Sequence, residues 1–484
     1  MPGLPLLLAI VGQRQIVAAD ESRIGDAVRS IVDELRGSYP HTEIVVVSPL
    51  LQRSEQVALE AVRAAQVRVF ETGEPAMAQA AIAVSQLLLL LWDGDLDQTE
   101  INDVVRGREG RSRNASHRPL EPPDVAPYFR LVTPCSPSAA GPNAYEVVRH
   151  FPERYPGDSQ SEDDFNKALR SMDRYNRDLA AEAGGAAQTT PEELQVRTDA
   201  LAQRLQKSTH RGQGALYAIA LFAAILQVVV PASPWWLKVA AIVTTLAVYN
   251  GLRRAGIQSR YQDYRAIAEA LRVQLAWWEA RIDLSVDGAY LRTQQSELQW
   301  IRMLLRVAAF LHRPDSIRSG APDPDPLRHW IDEQRSYFQA ASNRTARIQA
   351  LLQSTVGTLV PVYVVLSLAV GIFLALWHGS PDFESHLRWA SGAFAALGAV
   401  IAALLTSYSR TRAFSEDAKR YRRMYLLFDE AQRELHAAID AKEEVAVREL
   451  AVALGREALA EQAEWLLTQR ERPVGIVQTA AGQL

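Results

Sequence analysis

Residues 214–230, GALYAIALFAAILQVVV, and 236–252, WLKVAAIVTTLAVYNGL, are two apolar runs with only a short Pro- and Ser-containing break between them. The pattern returns at 360–377, VPVYVVLSLAVGIFLALW, and at 387–408, LRWASGAFAALGAVIAALLTSY, with HGSPDFESH between them. Each run has roughly 17 to 22 residues and almost no charge. At about 1.5 Å per residue, that length crosses most of a ~30 Å hydrocarbon layer. The reading is four transmembrane helices in two hairpins, each hairpin followed by a basic, amphipathic helix. The repeated unit covers about 214–278 and about 356–435.

Charge sets the expected orientation. Arg211 precedes the first run, Arg253, Arg254 and Arg260 follow the second, Arg344 and Arg347 precede the third, and Arg410 and Arg412 follow the fourth. The hairpin tips instead hold Trp235, Trp236, Trp377 and Trp389, with only Lys238 and Arg388 as cations. Because cytoplasmic flanks carry the excess of Lys and Arg, both termini and the long middle segment are expected in the cytosol. Both hairpins then enter from the same side, as parallel repeats rather than the inverted pair common in transporters. The run interiors lack the ionisable groups of a coupled transport pathway. Gln227, Thr244, Thr245, Asn250, Gly371, Gly392 and Gly398 are the candidate packing or pore positions, small residues at such sites being more often packing devices.

The 484 residues leave room for about three domains. A mean hydropathy of -0.10 shows that the apolar runs are diluted by large polar parts. The net charge of -4 gives no global attraction to nucleic acid, and none is expected as a partner. A single cysteine, Cys135, excludes an internal disulfide and a cysteine-built zinc cage. The nine histidines show no HExxH spacing. PLLLAIVG near the start is short, lacks a positive n-region and runs into Gln13 and Arg14, so it reads as a buried strand rather than a signal peptide.

Over 1–150, apolar runs alternate with amphipathic stretches, which predicts a helix-covered parallel sheet. PLLLAIVG, EIVVVSPL, QVRVFE, LLLLLWDGD and finally YFRLVTP are the expected strands. In the first helix Ile24, Val28, Ile31, Val32 and Leu35 share a face. Ligands of such sheets bind beyond the carboxyl ends of the strands. That rule selects 11–16 after the first strand, 48–58 after the second and WDGD (92–95) after the leucine-rich strand. Proline- and serine-rich sequence from Ser136 marks the exit, followed by a polar helix, FNKALRSMDRYNRDLAAEA. Thr190, Pro191 and Glu193 then form a helix start that feeds the first apolar run.

At these strand ends the chain resembles the SLOG superfamily, the Rossmann-like fold shared by DNA-processing protein A, the "lonely guy" enzymes and the cytosolic domain of melastatin channels. Gly12 and Arg14 match its first turn, Ser48 and Leu50 its second loop, and Trp92, Asp93, Gly94 and Thr99 its third. All of those residues except Leu50 form the candidate ligand site, with a nucleotide-derived ligand as the implied cofactor-like molecule. Gln13 stands where that family has histidine, Arg53 and Glu55 replace a glycine and an aspartate, and Asp97 and Gln98 replace paired glycines. Side chains there block the approach of backbone N–H groups to a phosphate. The resemblance therefore implies weakened nucleotide binding and no catalytic residues. From the residues alone, Gly12 equally fits a strand-end turn, Arg14 a solvated charge, Asp93 a turn or cap, and Trp92 a core aromatic.

The hairpins resemble the SLATT families, two-transmembrane effector domains that accompany SLOG modules in bacterial conflict systems. AEALRVQ (268–274), LQWIR (298–302), WIDEQRSYF (330–338) and GREALAEQAEWLLTQRERP (455–473) carry that resemblance. The expected layout is an α/β Rossmann-like domain at 1–150, linker and helices at 151–213, repeats at 214–312 and 344–475 joined by a proline-rich connection at 313–343, and a tail at 476–484. Arg265, Glu269 and Arg272, on the helix after the first hairpin, are candidate coupling residues. The implied function is a sensor–effector of the bacterial inner membrane, acting as a homo-oligomer in the lipid bilayer and triggered by a nucleotide signal or an operon-encoded partner. A membrane-tethered nucleotide-processing enzyme and a non-catalytic scaffold are the alternatives.

Overall fold

The computed structural model describes residues 3–49, 52–71, 75–94, 99–112, 126–135, 145–153, 157, 159–183, 190–228, 234–290, 298–314, 317, 322–376 and 381–471. Asp97, Gln98 and Trp377, and the expected tail at 476–484, lie outside them. The chain forms two compact units, each discontinuous in sequence. One comprises Met1–Leu201, Asp263–Pro322 and Gly455–Glu464, and the other Ala202–Gln262, Asp323–Leu454 and Trp465–Leu484.

The first unit is built on a mixed six-stranded sheet of order β3-β2-β1-β4-β5-β6. Its strands are β1 (Leu6–Gly12), β2 (Ile44–Ser48), β3 (Arg68–Glu71), β4 (Leu87–Leu91), β5 (Tyr128–Leu131) and β6 (Val147–His150). The first five run parallel. Here the sequence reading needs correction, because the sheet does not end at YFRLVTP. Val147–His150 adds an antiparallel edge strand in register with β5. It is half exposed and sits just after the Gly/Pro linker, so it has neither the apolar run nor the alternation that marks the inner strands.

Helices α1 (Glu21–Ser38), α2 (Arg53–Ala64), α3 (Pro75–Val84) and α4 (Thr99–Ser112) connect the parallel strands. The α1 face expected from the sequence is the buried one, and α1 packs on α2. On one sheet face, Ala9, Val11, Leu88 and Leu90 meet Trp92 and Ile101, with Val104 and Val105 of α4 against them. On that same face, by strand register, Leu7, Val45 and Val47 meet Ala81 of α3. Val307, Phe310 and Leu311 complete this cluster from α9 (Gln299–His312), far away in sequence.

The helix expected to be merely polar, α5 (Ser161–Ala183), seals the amino end of the sheet. Asn176 accepts the Leu4 N–H at 3.1 Å and donates to the Leu4 carbonyl at 2.9 Å and to Thr42 at 3.1 Å. Asp173 accepts from the His41 N–H and the Thr42 hydroxyl. Buried Tyr175 meets Tyr264 and Trp300 at ring distances of 5.3 and 6.3 Å.

The remaining helices are α6 (Pro191–Val228), α7 (Trp235–Ala255), α8 (Ile257–Glu279), α10 (Pro324–Leu376), α11 (Pro381–Thr411), α12 (Phe414–Asp440) and α13 (Glu444–Glu471). The expected cap of α6 is present, with the Glu193 N–H donating to Thr190 Oγ1 at 3.2 Å, and α6 continues unbroken into the first apolar run. The four helical segments that hold the apolar runs are long and apolar enough to cross a membrane, and three of the four apolar windows have no buried residue at all. Both hairpins turn into their trailing helix through a left-handed residue, Gly256 at φ 57° and Ala413 at φ 52°. Glycine adopts this conformation freely, whereas alanine is strained there. In its first part α10 buries one side, with Trp330 and Phe338 against Phe428 of α12 at 5.5 and 5.6 Å. Arg335 pairs with Asp429 at 2.7 Å on the rim of that contact.

Two outcomes follow for the sheet unit. A fragment ending at residue 150 lacks Val307, Phe310 and α5, and is expected to aggregate or bind a hydrophobic dye. A soluble fragment with a cooperative melt would contradict this cover. Burial also holds His312 and His150 below the usual imidazole value, opposed by Glu192 at His312 and reinforced by Arg130 at His150. The unfolded chain then binds more protons, so the stabilisation is complete above about pH 6.5 and is lost as pH falls through the lowered folded values. Calorimetry of the full chain should show a drop in Tm on acidification that shrinks in the His312→Gln, His150→Gln double variant.

Candidate functional site

Strand β1 lies between β2 and β4, so the connections leave it in opposite directions and the sheet has its switch point between the carboxyl ends of β1 and β4. Gly12 pairs in register with Leu91 there, which brings Gly12 beside Trp92, Asp93 and Gly94. Ser48 is buried at the adjacent end of β2. Arg14 is exposed on the segment leaving β1. Thr99 is the first residue of α4, and its side chain lies outside the described residues.

Three side chains fill this end of the sheet. Glu55, only 1% exposed, accepts the Gly12 N–H at 3.0 Å with one carboxylate oxygen. Its other oxygen accepts the Gln52 N–H at 3.3 Å, closing a capping box at the start of α2. Ser54 donates to the Gln13 carbonyl at 2.7 Å. Gln13, also 1% exposed, donates to the carbonyls of Thr133 at 2.7 Å and Gln15 at 2.9 Å and accepts the Asp93 N–H at 3.0 Å. One amide thus ties together the ends of β1, β4 and β5.

The arrangement leaves no space at Gly12. A Cβ there would lie 2.1 Å from Ser54 Oγ, so glycine is required by the close approach of α2 rather than by an incoming ligand. The helix N-terminus and the Gly12 amide are sites that suit an anion, and the chain's own carboxylate already takes them. Trp92 belongs to the core, with the Arg130 guanidinium 5.9 Å from its ring centre. Gly94 holds a positive φ of 99°. Gln13 and Glu55 drew notice in the sequence only as departures from a family pattern. The signal available for Glu55 was its position three residues after Gln52 at a helix start. No comparable local signal existed for the links from Gln13 to Asp93 and Thr133, which are 80 and 120 positions away in sequence.

On α8, Glu269 stands between Arg265, at 2.6 Å, and Arg272. Arg265 also lies 3.7 Å from Asp199. Each of the four side chains is about one fifth exposed, so this is a charge-balanced network rather than a free cationic face. Among the described residues, no three His, Cys, Asp or Glu side chains gather as a metal site.

Comparison of the chain with protein-family models, curated proteins and solved structures finds no match.

Replacing Glu55 with alanine removes a helix cap and leaves the buried Gly12 N–H unpaired, for an expected loss of about 1–3 kcal/mol. Glu55→Gln, which keeps one acceptor oxygen, should lose less. Denaturant unfolding of the full chain measures both, and equal midpoints for wild type and Glu55→Ala would refute the assignment.

Proposed function

We propose that the chain is a bacterial membrane-embedded sensor–effector. A SLOG-like, Rossmann-like domain in the cytosol receives a signal, and the four apolar helices, as SLATT-type repeats in a homo-oligomer, perturb or permeabilise the inner membrane. The observation that carries this reading is the state of the four apolar windows. Side chains such as Phe222, Val243, Val365, Leu368, Ile372 and Phe394 are more than two fifths exposed on helices apolar all round. Water would not sustain such surfaces, whereas lipid or neighbouring copies would. Pro361 within α10 is consistent with this setting, since transmembrane helices tolerate proline when neighbours re-satisfy the freed carbonyl.

The sheet unit supports a receiver rather than an enzyme. Its crevice carries Gln13 and Glu55 in structural roles, and a phosphate at Gly12 would have to displace a carboxylate already held by two N–H groups. Recognition of an operon-encoded protein, or of a ligand whose phosphate lies elsewhere, fits this geometry better than nucleotide hydrolysis. The chain passes between the two units within α6, α8 and α13, so signal and output share continuous helices. Arg265, Glu269 and Arg272 lie on one of them.

The full chain expressed in bacteria should stay in the membrane after carbonate extraction, and proteoliposomes should release dye when the trigger is added. Liposomes that remain sealed with ligand and partner present would remove the effector reading. Arg265→Ala and Arg272→Ala should each reduce release without altering insertion. Unchanged release in both would detach the α8 network from signalling.

A further inference from the structure

The stretches 202–262, 334–381 and 385–415 contain the four apolar runs and not one Asp or Glu. Most of their cations gather at one end of the runs, as Arg211 on α6, Arg253 and Arg254 on α7, Arg344 and Arg347 on α10, and Arg410 and Arg412 at the end of α11, with Lys238 and Arg388 at the other end. All of the gathered arginines but Arg412 are exposed. The first acidic residues beyond Arg412 are Glu416 and Asp417 in the opening turn of α12, where Glu416 accepts a hydrogen bond from Ser415. An acid-free collar of this kind is charge-complementary to an anionic surface.

At the same end the structure holds a groove. The Tyr217 hydroxyl on α6 lies 3.0 Å from Ser407 Oγ and 2.9 Å from Thr411 Oγ1 on α11, with the Tyr217 and Tyr408 rings edge to face at 5.3 Å. Beside this polar staple is an open cavity of about 290 Å³ whose walls are Gly214, Ala218, Leu221, Ile401, Leu404 and Leu405. From Gly214 to Leu221 it follows α6 for about 10 Å at the helical rise. Arg211 is one turn before Gly214 on the same helix face, and Arg412 is one turn beyond Tyr408. The Arg412 guanidinium rests 5.5 Å from the Phe414 ring centre. The ends of the groove therefore differ, with cations and hydroxyls at one and hydrocarbon along the rest.

We propose that the groove between α6 and α11 is a site for an anionic phospholipid, its headgroup phosphate paired with Arg211 and Arg412 and one acyl chain lying between the helices. This rests on the membrane-spanning reading above and goes beyond it, from bulk solvation to one defined site. An apolar slot would bind any hydrocarbon, and a cationic collar any anion. Only an amphiphile with both parts in this order satisfies the two together.

The test uses the full-length protein in a non-ionic detergent, titrated with phosphatidylglycerol or with phosphatidylcholine of the same acyl chains while the melting temperature is followed. Phosphatidylglycerol should act at lower concentration. Arg211→Gln and Arg412→Gln should each weaken its apparent affinity about fivefold, the equivalent of about 1 kcal/mol per arginine, and leave the phosphatidylcholine response unchanged. Ala218→Trp should fill the groove and abolish both responses, and Gly214→Leu serves if that variant does not fold. Equal responses to the two lipids, or a preference untouched in both Gln variants, overturns the proposal. A full arginine-dependent response to oleate alone overturns it in favour of a fatty acid. Loss of oligomer mass in Ala218→Trp without any lipid preference overturns it in favour of a second copy. Carbonate extraction separates the two levels: a chain released by carbonate removes the membrane reading itself, whereas one retained without lipid preference removes only this site.

Discussion

A parallel sheet has no face that it can leave in water, and the first unit is arranged to meet that demand. Leu7, Leu8, Ala9 and Ile10 of β1 and all five leucines of β4 are fully buried. Connecting helices cover part of that surface. The remainder is covered by residues 150 or more positions away, because Val307, Phe310 and Leu311 reach Leu7, Val45 and Val47. At the amino end, where strands begin with unpaired backbone groups, Asn176 and Asp173 supply the missing hydrogen bonds. Both apolar cover and polar closure thus come from helices that follow the sheet in sequence.

The same demand for paired backbone groups shapes the carboxyl end. A buried N–H left without an acceptor costs about 1–3 kcal/mol, and open α/β sheets commonly use such groups to hold a ligand. Here Glu55 takes the Gly12 N–H and Gln13 takes the Asp93 N–H. Glu55 and Gln13 therefore make this sheet end self-sufficient, its buried N–H groups at Gly12 and Asp93 being held by the chain's own side chains.

In the long helices the constraint is reversed. The first part of α10 buries Leu327, Trp330, Ile331 and Phe338 on one side, and Arg335 pairs at its rim. From about residue 351 onward the same helix presents Leu351, Val360, Val365, Leu368 and Leu376 outward. The helix thus changes along its length from one-sided to all-round apolar, with Arg344 and Arg347 near that change.

Much of this was legible in the sequence, because it depends on local patterns. The five parallel strands are apolar runs, α1 announces its buried face, Thr190 and Pro191 announce the start of α6, and the four apolar runs announce themselves by length. The edge strand β6 was not legible, since a half-exposed four-residue strand carries neither signal. Nor were the roles of Gln13, Glu55 and the cluster around Glu269, whose meaning depends on which groups fold against them. The sequence by itself determined the elements and the four apolar runs, because hydrophobic periodicity and run length act within one element. Only the tertiary structure decided that the sheet is completed by α5 and α9, that the Gly12 N–H at the end of β1 is taken by the chain's own Glu55 carboxylate, and that α6 and α11 leave a groove beside Tyr217. Those outcomes depend on hydrogen bonds and packing between residues far apart in the chain, which no local pattern encodes.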